Sequence, residues 1–417
     1  MIVAILILVD FKADPLNIIK AKTVVFFAFI GWFLFEALVV PTYVSVTFSQ
    51  AEYDYGVFCL FLSLVGFIVG YQLFLPWRGI YGVAGRLRIL EQPEYLWKVT
   101  LIAAVIGFTP VIYYGGVDVL NTVRGFLGIR TSWGGGISRS QYGGFRDAML
   151  MFELFALSLS GLATVYVLRS DQPLPKRMFA LAIVLYSCLR AYGSGTRSAI
   201  LIAVIPILLA IAWQFSPEIR RKLMMFSLPL GFLVYEFSIA MVAGRNQGVL
   251  EWGADVSYVG YEMFRELLYI IRTFPEQVDY LWGQSYFAEI VNPIPRFLWE
   301  EKPARFGVFY ADLVAPEMSG TGFTASYGLI GEMYMNFGVL GIPVLSIVGG
   351  WMCRSWDEMF HLAVDSISVM TFFAMGLGVI FILGRSFSFP EFYQMIFLYF
   401  AIYFTTRHYN SGQPNSV

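Results

Sequence analysis

Two kinds of side chain in this 417-residue sequence could do chemistry together. Arg197, Arg296, Arg305 and Arg385, with Lys302 among them, place positive charge in or beside long apolar stretches. A guanidinium presents a planar fork of donors and keeps its charge in any local dielectric, so a convergent set of them suits a diphosphate. If that diphosphate is a leaving group, the same cations stabilise the charge that develops on it, and no proton donor is needed. The complementary task is to accept the proton of an attacking hydroxyl, or at least to fix that hydroxyl in place, which suits a carboxylate. Glu332, in SYGLIGEMYMNFG, lies about two turns into an apolar run, where a carboxylate is costly unless paired and is a functional candidate by default. The competing role for Glu332 is a structural partner for one of the arginines. Glu289, Glu300, Glu301 and Asp312 compete with it from the preceding loop, while Glu36, Glu153 and Glu236 fall inside apolar runs and read as interhelical hydrogen-bonding groups.

Three of the cations share one stretch, NPIPRFLWEEKPARFG from Asn292 to Gly307, which holds Arg296, Lys302 and Arg305 among three prolines. Proline fixes φ and removes a backbone donor, so this is a shaped, non-helical segment. Arg197 and Arg385 stand at short turns, where the competing role is to cap a helix C-terminus or reach lipid headgroups. Neither a DxD pair nor a His/Asp cluster accompanies these residues, and no metal or other cofactor is expected. The two histidines, His361 and His408, belong to the opposite side of the chain's topology. Cys59, Cys188 and Cys353 lie in or at the ends of apolar runs and read as small core residues.

The elements that must hold these groups are membrane helices. The chain is 58% hydrophobic, 18% aromatic and only 14% charged, against roughly 25% charged in a soluble domain. With a net charge of −1 and no basic run interleaved with aromatics, nucleic acid is not an expected partner. Apolar runs recur at 23–48, 57–75, 96–114, 149–169, 178–192, 198–215, 223–243, 326–350, 367–384 and 391–406. The reading is an all-α polytopic membrane protein of about ten spans, or eleven if the apolar residues 1–9 belong to a further one. Ten spans put both ends on one side, and the basic residues choose it. Lys12, Lys20, Lys22, Arg78, Arg86, Arg88, Lys98, Arg169, Lys176, Arg177, Arg220, Arg221, Lys222, Arg354 and Arg407 all fall on one set of connections, expected to be cytoplasmic. The other set faces outward and includes the glycine-rich loop 115–148 and the long loop 244–325.

No internal repeat is visible, so one transmembrane domain over residues 1–417 is expected. Within the long loop, residues 256–274 put Tyr258, Tyr261, Leu268 and Tyr269 near helical spacing against Arg265, Glu266 and Arg272. That predicts an amphipathic helix in the interface plane that braces the loop or guides a lipid tail. Glu52 and Asp54, in QAEYDYG, are expected together on a solvated outer turn.

The string GSGTRSAIL at 193–201 resembles the turn that opens a span in bacterial O-antigen and oligosaccharide repeat-unit polymerases (Wzy-type) and in the related O-antigen ligases. PIPRFLWEEKP followed by SYGLIGEMYMNFGVLGI is similar to the polymerases' proline-arginine loop and the Gly-Glu span with Asn-Phe-Gly behind it. The resemblance covers residues 190–345 and rests on topology elsewhere. It implies a GT-C-like multi-span fold in the bacterial inner membrane. The implied reaction transfers a growing chain from an undecaprenyl-diphosphate-linked donor to a hydroxyl of another lipid-linked repeat, at the periplasmic face. Carried over by position, it implicates Arg197 and Arg296 most directly, then Lys302, Arg305 and Glu332, and brings a chain-length regulator and a flippase as partners. The ligases resemble this layout too but use an outer-face histidine, which this chain lacks in its long loop. A lipid-linked sugar transporter would call for midplane charge and symmetry between halves. A scaffold in polysaccharide assembly would tolerate neutralised arginines.

Overall fold

A computed structural model describes residues 2–39, 47–110, 158–193, 197–226, 263–292, 294, 298–303, 306–314, 326–384, 387 and 389–409. Among these residues the chain is helical, with no strand. In chain order the helices are α1 (Ile2–Ala13), α2 (Ala21–Phe29), α3 (Phe35–Val39), α4 (Gln50–Leu73), α5 (Gly79–Ile89), α6 (Pro93–Pro110), α7 (Ser160–Leu168), α8 (Leu174–Gly193), α9 (Arg197–Ala212), α10 (Met263–Thr273), α11 (Gln284–Val291), α12 (Phe306–Val314), α13 (Leu329–Ala363), α14 (Ile367–Leu383) and α15 (Phe389–Thr406). A π turn over Ile30–Leu34 joins α2 to α3. Among the described residues, three helical stretches are long and apolar enough to cross a membrane: Ala21–Leu38, Gln50–Leu73 and Leu329–Ala363. Shorter apolar helices cover Leu201–Ala212, Ile367–Leu383 and Phe392–Thr406.

The centre of the bundle is the pairing of α4 with α13. Gly70 and Gly350 let the two backbones touch: a Cβ at Gly70 would collide with the Ile347 carbonyl, and one at Gly350 with the Phe67 carbonyl. Small residues at such crossings are what packing in lipid requires, because the tails supply no hydrophobic drive between helices. Ser63 Oγ and Ser346 Oγ hydrogen-bond across the same crossing at 3.0 Å. The opposite faces carry apolar stripes at helical spacing, Val57, Phe61 and Val65 on α4 and Leu340, Val344 and Val348 on α13, all at least 40% exposed. Stripes of this kind suit contact with lipid.

Among the described residues, three helix N-termini are closed by carboxylates from distant parts of the chain. Asp357 on α13 accepts from Ala21 N–H and Lys22 N–H at the start of α2, and from the Tyr71 hydroxyl on α4. Glu91 accepts from Ser368 N–H and Ser366 Oγ at the start of α14. Glu36 accepts from Phe264 N–H and Arg265 N–H, both at 3.0 Å, at the start of α10. A helix N-terminus offers unpaired N–H groups and partial positive charge, so each carboxylate ties two distant segments together.

Many of the basic residues assigned to one side gather around the C-terminal half of α13. Arg88 and Arg220 donate to the carbonyls of Leu362 and Val364, and Arg169 pairs with Glu91 at 3.3 Å. Lys22 and Arg354 lie over the Tyr71 ring beside Asp357. Several boundaries differ from the sequence reading. The second span starts at Gln50 rather than 57, because Ser49 and Glu52 form a reciprocal capping box. Glu52 and Asp54 therefore lie in the first turns of a helix, not on a solvated turn. Arg86 and Arg88 sit on a helix, α5, where the sequence suggested only a connection. The loop 115–148, and Glu153 and Glu236, lie outside the described residues.

Candidate active site at the broken helix

Glu332 stands in the first turn of α13, fully buried. Its Oε1 accepts from Ser285 Oγ at 2.8 Å, and its Oε2 accepts from the Phe387 N–H at 2.9 Å. Among the described residues no basic side chain pairs with it. One turn on, Asn336 completes the holder: its Nδ2 donates to Ser285 Oγ at 2.7 Å and to the Glu332 carbonyl at 2.8 Å, and its Oδ1 accepts from the Gly283 N–H at 2.9 Å. Positions four apart share a helix face, which is why Glu332 and Asn336 can grip one serine. That serine is presented by α11, whose inward face carries Ser285, Ala288 and Glu289.

The geometry depends on an interruption. At Gly338 the backbone has φ 66° and ψ −161°, so α13 is two helical segments meeting at a break. The break frees carbonyls that a continuous helix would have used. Those of Met335 and Asn336 accept instead from the N–H groups of Leu281 and Trp282, each at 3.0 Å. The Tyr280 ring covers Gly338, where an added Cβ would lie 3.0 Å from it. Trp282 pays for this docking with a left-handed φ of 49°, a conformation that costs an L-residue roughly 1–2 kcal/mol. Its side chain is 73% exposed and lies edge-on to Tyr280 and Phe337.

Two further groups face the carboxylate. Glu289, 2% exposed, lies within electrostatic reach of Glu332. Tyr286 stacks on Phe337 and meets Phe387 edge-on, and its buried hydroxyl has no hydrogen-bond partner among the described residues. Burial, with the Glu332 carboxylate nearby, pushes this phenol well above the usual tyrosine range. The Tyr393 hydroxyl on α15 donates to the Ile290 carbonyl at 2.6 Å, tying α15 to α11.

Of the cations singled out in the sequence, Lys302 is described in full. Its Nζ donates to the carbonyls of Asn292 and Ile294, both at 2.6 Å, and so clasps the start of the proline-arginine segment to the end of α11. Arg197 begins α9, but its side chain lies outside the described residues, as do Arg296, Arg305 and Arg385. In sequence, Arg385 is two residues before Phe387, whose N–H holds Glu332. The amphipathic stretch does form a helix, α10, shorter than the predicted 256–274. It buries Met263, Phe264, Leu267, Leu268 and Ile270, while Tyr269 is 36% exposed rather than part of the buried face. Capped by Glu36, α10 also sends Arg272 to Glu52 as a two-pronged ion pair with contacts of 2.6 and 2.9 Å. These contacts tie α10 to α3 and to the first turn of α4. Tyr258 and Tyr261 lie outside the described residues. Ser285, Asn336 and Tyr286 were not identified as site residues from sequence; the one signal was Asn336, four positions after Glu332 in the Asn-Phe-Gly string.

No protein-family model matches the chain, and no solved structure matches it. Among curated proteins, it is 22% identical over 379 residues to the O-antigen polymerase of Salmonella typhimurium (strain LT2), with 88% of this chain and 84% of the relative aligned. The O-antigen polymerase of Salmonella typhi aligns with the same identity and coverage. Over most of its length, this chain therefore resembles the O-antigen polymerases, a Wzy-type family.

Proposed function

We propose that this chain is a glycosyltransferase that polymerises lipid-linked oligosaccharide repeat units into a surface polysaccharide. The observation that carries the reading is Glu332: a buried carboxylate held at both oxygens, at a helix break, in a chain similar to O-antigen polymerases along most of its length. The acceptor hydroxyl attacks the anomeric carbon of the donor while its proton passes to Glu332. The bond from that carbon to the diphosphate breaks, and its electron pair leaves with the diphosphate oxygen. Arg197, Arg296, Arg305 and Arg385, with the positive charge of Lys302, hold that diphosphate and stabilise its charge without a metal. The exposed Trp282 ring offers a face on which an acceptor sugar can pack.

In this reading the carrier is undecaprenyl diphosphate, and the ten-span, GT-C-like domain sits in the bacterial inner membrane. The basic end around α13's C-terminal half faces the cytoplasm with both chain termini, while Glu332 and the loops 115–148 and 244–325 face the periplasm. A chain-length regulator and a flippase are its partners. The test is the purified protein with an undecaprenyl-diphosphate-linked repeat unit in detergent and EDTA, resolved for product ladders. Ladders from wild type that disappear in Arg296→Ala and Arg197→Ala support both the function and the diphosphate site. Ladders that survive both substitutions keep the function and remove these arginines from it. Intact protein that makes no ladder from the correct repeat unit is a transporter or a scaffold.

A further inference from the structure

A cavity of about 480 Å³ opens between α2, α4, α5, α13, α14 and α15. Its lining is apolar almost throughout, and its two serines, Ser63 and Ser346, bond to each other across the α4–α13 crossing. One end is formed by Leu329, Ile330 and Met333, the residues flanking Glu332 on α13, and by Gly384, whose carbonyl accepts the Leu329 N–H. From there the lining continues along α13 to Gly349 and Met352. Gly349 lies 17 residues beyond Glu332, a helical contour of roughly 25 Å that passes through the break at Gly338. A Cβ built at Gly349 meets no atom within 4 Å, so the cavity is still open at that depth.

We propose that this cavity holds the aliphatic chain of the lipid-linked substrate, with the chain's polar head at the Glu332 site. This rests on the function proposed above and adds where the carrier lies. The argument is continuity: the polar site and the cavity share one turn of α13, so a molecule with an anionic sugar head and a long hydrocarbon tail fits both at once. An ordinary phospholipid tail fits the lining, but its head brings no sugar to the Glu332 carboxylate. Open apolar space in an otherwise close-packed bundle forfeits contacts that such a tail restores.

The test fills the far end of the cavity. Gly349→Leu and Met352→Trp each add bulk there, away from Glu332, and each variant is first checked for wild-type elution and melting so that one can stand if the other misfolds. Binding of undecaprenyl diphosphate and of geranyl diphosphate is measured on the full chain in detergent, with phosphatidylglycerol as competitor. A ten-carbon chain spans at most about 15 Å even with bonds of about 1.5 Å end to end, so it cannot reach Gly349. Undecaprenyl diphosphate should bind the filled variants at least roughly tenfold more weakly, with geranyl diphosphate unchanged. Equal undecaprenyl diphosphate binding in wild type and variants overturns the proposal, as does displacement by an equal concentration of phosphatidylglycerol. Ladder formation in the same wild-type preparation separates the two readings. Ladders with unaltered binding in the variants remove the cavity and keep the polymerase; lost binding without wild-type ladders keeps the tail site and removes the polymerase.

Discussion

The two ends of α13 each bury a carboxylate, and the two are held in different ways. Asp357, 1% exposed, takes two N–H groups at the start of α2 and the Tyr71 hydroxyl, with Lys22 and Arg354 against the same ring. The hydrogen bonds and nearby cations of that setting favour negative charge on Asp357 against the cost of burying it, and they join α13 to α2. Glu332 takes one hydroxyl and one loop N–H, with no helix N-terminus or basic partner among the described residues, and a second carboxylate, Glu289, lies nearby. A group that only tied helices together would gain from the first arrangement. Among the described residues the second fixes position with less compensation of charge, the arrangement our proposed proton acceptor calls for.

Replacing each acid by its amide breaks the comparison most directly. Glu332→Gln should slow ladder formation by about a hundredfold or more, the scale of general-base catalysis, with little change in melting temperature. Asp357→Asn should do the reverse, costing roughly 1–3 kcal/mol of stability while the rate per folded molecule is kept. Initial rates and thermal melts on the two variants decide the matter, and matching profiles would show Glu332 to be another structural tie. Next in size are the supports of Glu332. Ser285→Ala removes a hydrogen bond to a charged group, worth about 1.5 kcal/mol, and should slow transfer roughly tenfold if that bond serves the transition state. Asn336→Ala should act similarly through the same serine, and the double variant should lose less than the product of the single losses, because both act through one contact. Full additivity in that cycle would separate Asn336 from the proton-accepting group.

How far these features could be read in advance follows from the range of the forces behind them. The apolar runs announce helices because lipid burial is a local property of each stretch, and most of the expected runs recur in α2–α3, α4, α6, α8, α9, α13, α14 and α15. Glu332 stood out for the same reason, as a charge in an apolar run. Its holder did not, because Ser285 is 47 positions away and Phe387 is 55, and nothing in their local sequence marks them. The helix ends shifted where a cap outweighs hydropathy, as Ser49 and Glu52 do at the start of α4. Glu52 itself was misplaced because its partner, Arg272, is 220 residues away.

A smaller effect probes the break that creates the site. Gly338→Ala forces an L-residue to φ 66° and ψ −161°, an essentially glycine-only conformation, against the Tyr280 ring and should cost about 1–3 kcal/mol, read as a lower melting temperature. No comparable penalty is expected of Gly82→Ala on α5, where an added Cβ meets nothing within 4 Å. An unchanged melt for Gly338→Ala would mean that the helix can run straight through.

The smallest expected effect has an unusual sign. Trp282 holds a left-handed φ of 49° so that its N–H can reach the Asn336 carbonyl freed by the break. Trp282→Gly relieves a strain of roughly 1–2 kcal/mol and gives back part of it through the entropy of a glycine chain, for a net gain of about 0.5–1 kcal/mol. The lost ring is 73% exposed, so little packing opposes that gain. If the ring is a platform for the acceptor sugar, the variant should melt higher than wild type yet need more acceptor to reach half-maximal rate, with the maximal rate nearly kept. A higher melt with unchanged acceptor dependence would leave the strain as a cost of docking the loop alone. A lower melt would show that the indole stabilises the loop by more than its backbone costs, and that the break at Gly338 is held together from the Trp282 side.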